Sequence, residues 1–100
     1  MSQFTFEAFQ QRCRECVAVA PSCRGWSLSF RTKDFEREWY VTAHAGTFEA
    51  VMLVTASSAS ASHVPDVIAE LGKMLEELRT GAVDASPVRT AILRELGVGR

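Results

Sequence analysis

Nowhere does this chain approach the ~20 consecutive apolar residues that a helix needs to cross a bilayer, so no membrane span is expected. It also lacks a charge excess: 11 basic and 12 acidic side chains leave a formal net charge of −1. A nucleic-acid module usually carries a basic excess or stripe, so direct nucleic-acid binding is not expected. Glycine is sparse. The six present act as punctuation, except Gly72 inside a helical pattern, and none forms a G-x-G-x-x-G or P-loop cradle for a phosphate. No serine lies in a G-x-S-x-G elbow, the strained turn that exposes a nucleophile. Cysteines number three, an odd count that fits free thiols in a reducing cytoplasm better than a disulfide framework. The first residues show no basic stretch leading into an apolar core, so no secretory signal is expected. These absences lead to the expectation of a cytoplasmic protein that is not an enzyme.

What is present is a globular composition. Hydrophobic residues at 47% against 23% charged suffice for one modest core over residues 1–100. Three stretches alternate apolar and polar residues in one phase: Trp26-Leu28-Phe30, Trp39-Val41-Ala43 and Phe48-Ala50-Met52-Val54. Alternation marks a half-buried strand. Strands are expected over about 25–32, 35–44 and 47–55. Two-residue turns at Lys33-Asp34 and Ala45-Gly46 would set Leu28 opposite Trp39, Trp39 opposite Met52 and Tyr40 opposite Val51. Lys33-Asp34 is a weak turn signal, and a loop longer by two residues keeps the same parity.

Helical periodicity brackets the strands. Phe6, Phe9, Cys13, Cys16, Val17 and Ala20 form a stripe of period 3.6, with Thr5 as N-cap and Phe4 and Phe9 spaced as a hydrophobic staple. Pro21 ends that helix. Residues 56–62, ASSASAS, read as a loop. Val64, Val67, Ile68, Leu71, Met74, Leu75 and Leu78 form the apolar face of a second helix over about 64–80, stopped by Gly81. Ser86 and Pro87 open a third expected helix over about 87–96. The fold class is α+β: a three-stranded antiparallel meander with two helices on one face, in the order α-β-β-β-α-α.

Cys13-x-x-Cys16, with Cys23 nearby, has the spacing of a zinc half-site, but Cys13 and Cys16 fall within the apolar stripe, so core packing is the expectation. The alternative is a small zinc- or thiol-dependent protein using Cys13, Cys16 and Cys23. His44 and His63 are expected to face solvent. The polar side of the meander draws most interest. It is expected to carry Arg31, Glu36, Glu38, Tyr40, Glu49, Val51 and Leu53, an aromatic and two aliphatics ringed by charge. Apolar residues on an otherwise solvated face mark a contact surface unless another element covers them. The third helix is the element that could cover them.

The α-β-β-β-α order resembles a double-stranded-RNA-binding domain. That family reads RNA with a lysine-rich start to its last helix, where this chain has Val64-Pro65-Asp66-Val67 and no lysine before Lys73. The resemblance therefore implies the fold and not the RNA binding. Small size, near-neutral charge, an α+β body and the lack of a catalytic motif are similar to phage- or prophage-encoded inhibitors of the anti-CRISPR type. That likeness implies a non-enzymatic module that binds a host protein or complex and blocks it, without a cofactor. A homodimer through the same sheet surface is the alternative.

Overall fold

The first helix begins where Thr5 supplies what a helix start lacks. The computed structural model describes residues 4–81 and the backbone of Ala91–Glu95. Helix α1 spans Phe6–Val19, and the Thr5 hydroxyl accepts the Ala8 N–H at 3.1 Å, satisfying one orphan donor. Phe4 meets Phe9 edge-on, ring centroids 6.4 Å apart, as the staple requires. Pro21 disfavours a helical residue before it, so Ala20 is extended and a short 3₁₀ turn, Pro21–Cys23, leads out.

Strands β1 (Ser27–Lys33), β2 (Glu38–Ala45) and β3 (Phe48–Thr55) form the antiparallel meander. The expected phase holds. Trp39, Val41, Ala43, Ala50, Met52 and Val54 are all buried, while the residues between them are not. The register differs from the two-residue-turn expectation. Ala45 pairs with Phe48 around Gly46-Thr47, and Gly46 takes φ +63 there. Lys33 pairs with Glu38, so the first turn has four residues, Asp34 to Arg37. Consequently Leu28 faces Ala43, Trp39 faces Val54, and Tyr40 faces Leu53 rather than Val51. Asp34, Phe35 and Glu36 all adopt positive φ, which no glycine or asparagine in that stretch announces.

Helix α2 spans Val64–Thr80, after 3₁₀ turns at Ala56–Ser58 and Ala61–His63 in the segment expected as plain loop. All seven residues of its expected apolar face are buried. Gly81 closes it in the left-handed conformation, its N–H directed to the Glu77 and Leu78 carbonyls. Both helices cover the same face of the sheet. Phe6 and Phe9 of α1 pack on Phe30 and Trp39, with Phe9 and Trp39 ring centroids 5.2 Å apart. Gly72 of α2 lies under Trp26, where an added Cβ would stand 3.6 Å from the indole.

The α+β class, the meander and the two helices stand as expected; the last element does not. Ala91–Glu95 is a strand, β4, parallel to β3, rather than part of a helix over 87–96; residues 87–90 and 96 lie outside the described residues. The sheet order is β1-β2-β3-β4. The short apolar run Ala91-Ile92-Leu93 is ambiguous between helix and strand by periodicity alone. The free edge of β3 decides it, since pairing there satisfies backbone groups along a whole strand. A parallel partner needs a crossover of a dozen or more residues, and α2 lies in that crossover.

Candidate functional site

The outer face of the sheet is built by parity. Once Trp39, Val41 and Ala43 point inward, Glu38, Tyr40, Thr42 and His44 must point outward, with Arg31 and Lys33 on β1 and Glu49, Val51 and Leu53 on β3 beside them. The expected residues therefore share this face, with one exception. Glu36 belongs to the first turn at φ +66, and its carbonyl accepts the Trp39 indole N–H at 2.9 Å. It is fully off the strand, because β2 begins at Glu38, three residues later than alternation alone suggests.

Tyr40 is the centre. It pairs directly with Arg31 on one side and Leu53 on the other. The Arg31 guanidinium lies 5.2 Å and the Lys33 ammonium 5.4 Å from its ring centroid. Its hydroxyl donates to Glu38 at 3.2 Å. Two cations over the ring and a carboxylate at its tip hold a large amphipathic side chain in one orientation. Val51, opposite Thr42, continues the apolar strip along β3. None of Tyr40, Val51 and Leu53 is buried. Ala91–Glu95 does not lie over them; it joins the sheet beside β3 and widens it.

A second group went unrecognised in the sequence. Ser29 Oγ is 2.9 Å from His44 Nε2, and His44 Nδ1 is 3.2 Å from Glu49 Oε2. With the Nδ1 proton held toward Glu49, Nε2 of a neutral imidazole is the acceptor for the serine hydroxyl. His44 is thus half-buried and paired rather than free in solvent. The order hydroxyl, imidazole, carboxylate is that of an activated nucleophile. Acyl transfer also requires donors aimed at the developing oxyanion within a water-excluding site. These three side chains lie on a sheet face, and neither cavity described below includes any of them. The signal that could have found them was parity, since all three share one phase on adjacent strands. His63, the other histidine, is also not simply in solvent: its Nδ1 is shielded and has no hydrogen-bond partner among the described residues.

The opposite side holds the larger concavity. A groove of about 920 Å³ runs between the end of α1, the Gly46-Thr47 turn and α2, with Trp26, Phe48, Ile68 and Leu75 among its walls. Its charged lining residues, Glu76 and Arg79, satisfy each other: the Arg79 guanidinium hydrogen-bonds the Glu76 carboxylate and holds it below the usual carboxylate range. A second, smaller cavity of about 310 Å³ lies near Arg12 and Pro65. Cys13 and Cys23 are core residues, and Cys16 borders both cavities. Burial pushes the Cys13 thiol from its ordinary 9.0 up to about 12, with Cys16 adding to the effect. Such a thiol is a poor nucleophile and a poor metal ligand. Among the described residues, no group of three or more His, Cys, Asp or Glu is gathered closely enough to hold a metal ion.

Compared with protein families, curated proteins and solved structures, the chain matches none of them.

Proposed function

We propose that this chain is a non-enzymatic protein-binding module that uses the outer face of its sheet to occupy a surface on a host protein or complex. The reading extends to an inhibitor of the kind encoded by phages and mobile elements, as anti-CRISPR proteins are. The observation that carries it is the clamped Tyr40. Interfaces draw their energy from a few anchors, and rigid aromatics held by neighbouring polar groups are favoured because little side-chain entropy is lost on binding. Leu53 and Val51 supply the apolar ground around that anchor, and Arg31, Glu38 and Glu49 supply a mixed-charge rim that sets register.

Affinity purification from the native host cell, with mass spectrometry of what co-elutes, identifies the partner. Calorimetry against that partner then tests the face. Tyr40→Ala should weaken binding by about 2 kcal/mol, roughly 30-fold. Unchanged affinity would remove Tyr40 as the anchor and the face with it. A second reading, a homodimer through Val51 and Leu53, uses the same apolar strip. Static light scattering at twice the chain mass, abolished by Leu53→Glu, would favour it.

A further inference from the structure

We infer that the free edge of β1 is a second binding site, one that accepts an extended acidic peptide segment as an added strand. The ladder geometry points to it. Backbone N–H and C=O groups of one strand residue point to the same side, and sides alternate along the strand. The Arg37 carbonyl accepts the Ala56 N–H at 2.8 Å, so odd-numbered positions there turn toward β3. Glu38, Tyr40, Thr42 and His44 then turn toward β1 and engage Lys33, Arg31, Ser29 and Ser27, their register partners. The backbone groups of Leu28, Phe30 and Thr32 are left facing outward, because β1 is an edge strand. No turn, loop or cap bond among the described residues uses them.

An edge of this kind is a template for strand addition. Its chemistry selects the occupant. On the outer face β1 carries Ser27, Ser29, Arg31 and Lys33, two cations and no acid. On the inner face the Arg14 guanidinium lies 4.8 Å from the centroid of Phe30. Leu28 and Phe30 remain only half-buried, since no strand among the described residues lies beyond them. The fitting segment alternates acidic and apolar residues. Its carboxylates sit beside Arg31 and Lys33, and its apolar side chains extend the core past Leu28 and Phe30. A second copy of this chain fits poorly. It would bring its own Arg31 and Lys33 to the same face of the joined ribbon, four cations with no acid between them.

The test uses a blocked seven-residue peptide alternating glutamate and valine, with a lysine–valine peptide as control, read by amide exchange and NMR titration of the full chain. In the free chain the Leu28, Phe30 and Thr32 amides should exchange faster than those of Ser29 and Arg31. The glutamate peptide should slow the first three, and the lysine peptide should not. Arg31→Glu with Lys33→Glu should weaken the glutamate peptide about tenfold or more. Thr32→Pro removes one outward donor without touching the ladder and should weaken it about fivefold. Leu53→Ala, on the outer face, should leave peptide affinity unchanged, which separates this site from the proposed anchor at Tyr40. Protection of the three amides without peptide, together with a dimer in ultracentrifugation, would overturn the proposal in favour of self-pairing. Equal binding of the two peptides, or no protection at millimolar peptide, would also overturn it.

Discussion

On β2 the inward residues Trp39, Val41 and Ala43 alternate with the outward residues Tyr40, Thr42 and His44, one position apart and in opposite surroundings. The inward set is 4%, 0% and 0% exposed, and the outward set is only half-buried. The inner face is held by removal of apolar area from water and by close aromatic contacts with α1. The outer face is held by pairings that are individually weak: two cations over Tyr40, a tyrosine–glutamate hydrogen bond, and the Ser29–His44–Glu49 relay. Neighbouring residues on one strand therefore divide the work. The inner ones carry stability, and the outer ones are free to be chosen for contact.

Substituting one aromatic from each face breaks the comparison most directly. Trp39→Ala should cost about 3–5 kcal/mol in denaturant unfolding, whereas Tyr40→Ala should cost about 1 kcal/mol or less and act on partner binding instead. Equal losses from the two would mean that the outer face is covered as the inner one is.

Alkaline pH offers the next largest effect, confined to the inner side. Cys13 keeps its proton up to about pH 12 in the folded chain, while its ordinary value is 9.0. Its contribution to stability is therefore complete below about pH 9 and is lost between there and pH 12, because the unfolded thiol ionises first. The slope is about 1.4 kcal/mol per pH unit over that window. Urea titrations at pH 8 and 10.5 should show the native chain losing about 2 kcal/mol more than Cys13→Ala loses. Parallel losses in the two proteins would mean that the thiol is hydrated.

Between the faces lies the first turn. Glu36 at φ +66 pays a left-handed penalty that glycine avoids. Glu36→Gly should raise stability by about 1 kcal/mol, seen as a higher denaturant midpoint. A loss instead would show that the Glu36 side chain holds the turn.

The smallest effect belongs to the outer relay. His44→Ala or Ser29→Ala should change stability by about 0.5 kcal/mol, because both partners return to water. A loss of 2 kcal/mol would place the relay in a far drier environment than its half-exposed side chains indicate.

The two turns show why the register was only partly legible. Gly46 marks its turn because glycine takes positive φ without a Cβ clash, and the second hairpin closes within one residue of expectation. Asp34-Phe35-Glu36 carries no such mark. Phe35, 95% exposed, reads by alternation as another inward strand residue. Its neighbours explain the outcome: the Trp39 indole takes the Glu36 carbonyl, and Ala56 takes that of Arg37. Those bonds come from residues that local propensity does not see. The outer-face cluster was legible as a set because parity is a property of the chain, but its pairings were not. Shifting the register by an even number, four in the first hairpin and two in the second, leaves every side chain on its own face and changes only which residues meet across the strands. For that reason alternation alone places Ser29, His44 and Glu49 on the outer face, and only the observed register brings them into one relay.

Amino-acid order alone determined both helices, the Thr5 cap, the stops at Pro21 and Gly81, and the side of the sheet on which each residue of the paired strands lies. These follow from periods of 3.6 and 2 and from local sterics, which need no distant contact. Tertiary structure alone decided the register of the first hairpin, the strained turn that sets it, and the fate of Ala91–Glu95 as a strand. Each depends on a hydrogen bond or a sheet edge supplied by a part of the chain remote in sequence, so no local pattern could report it.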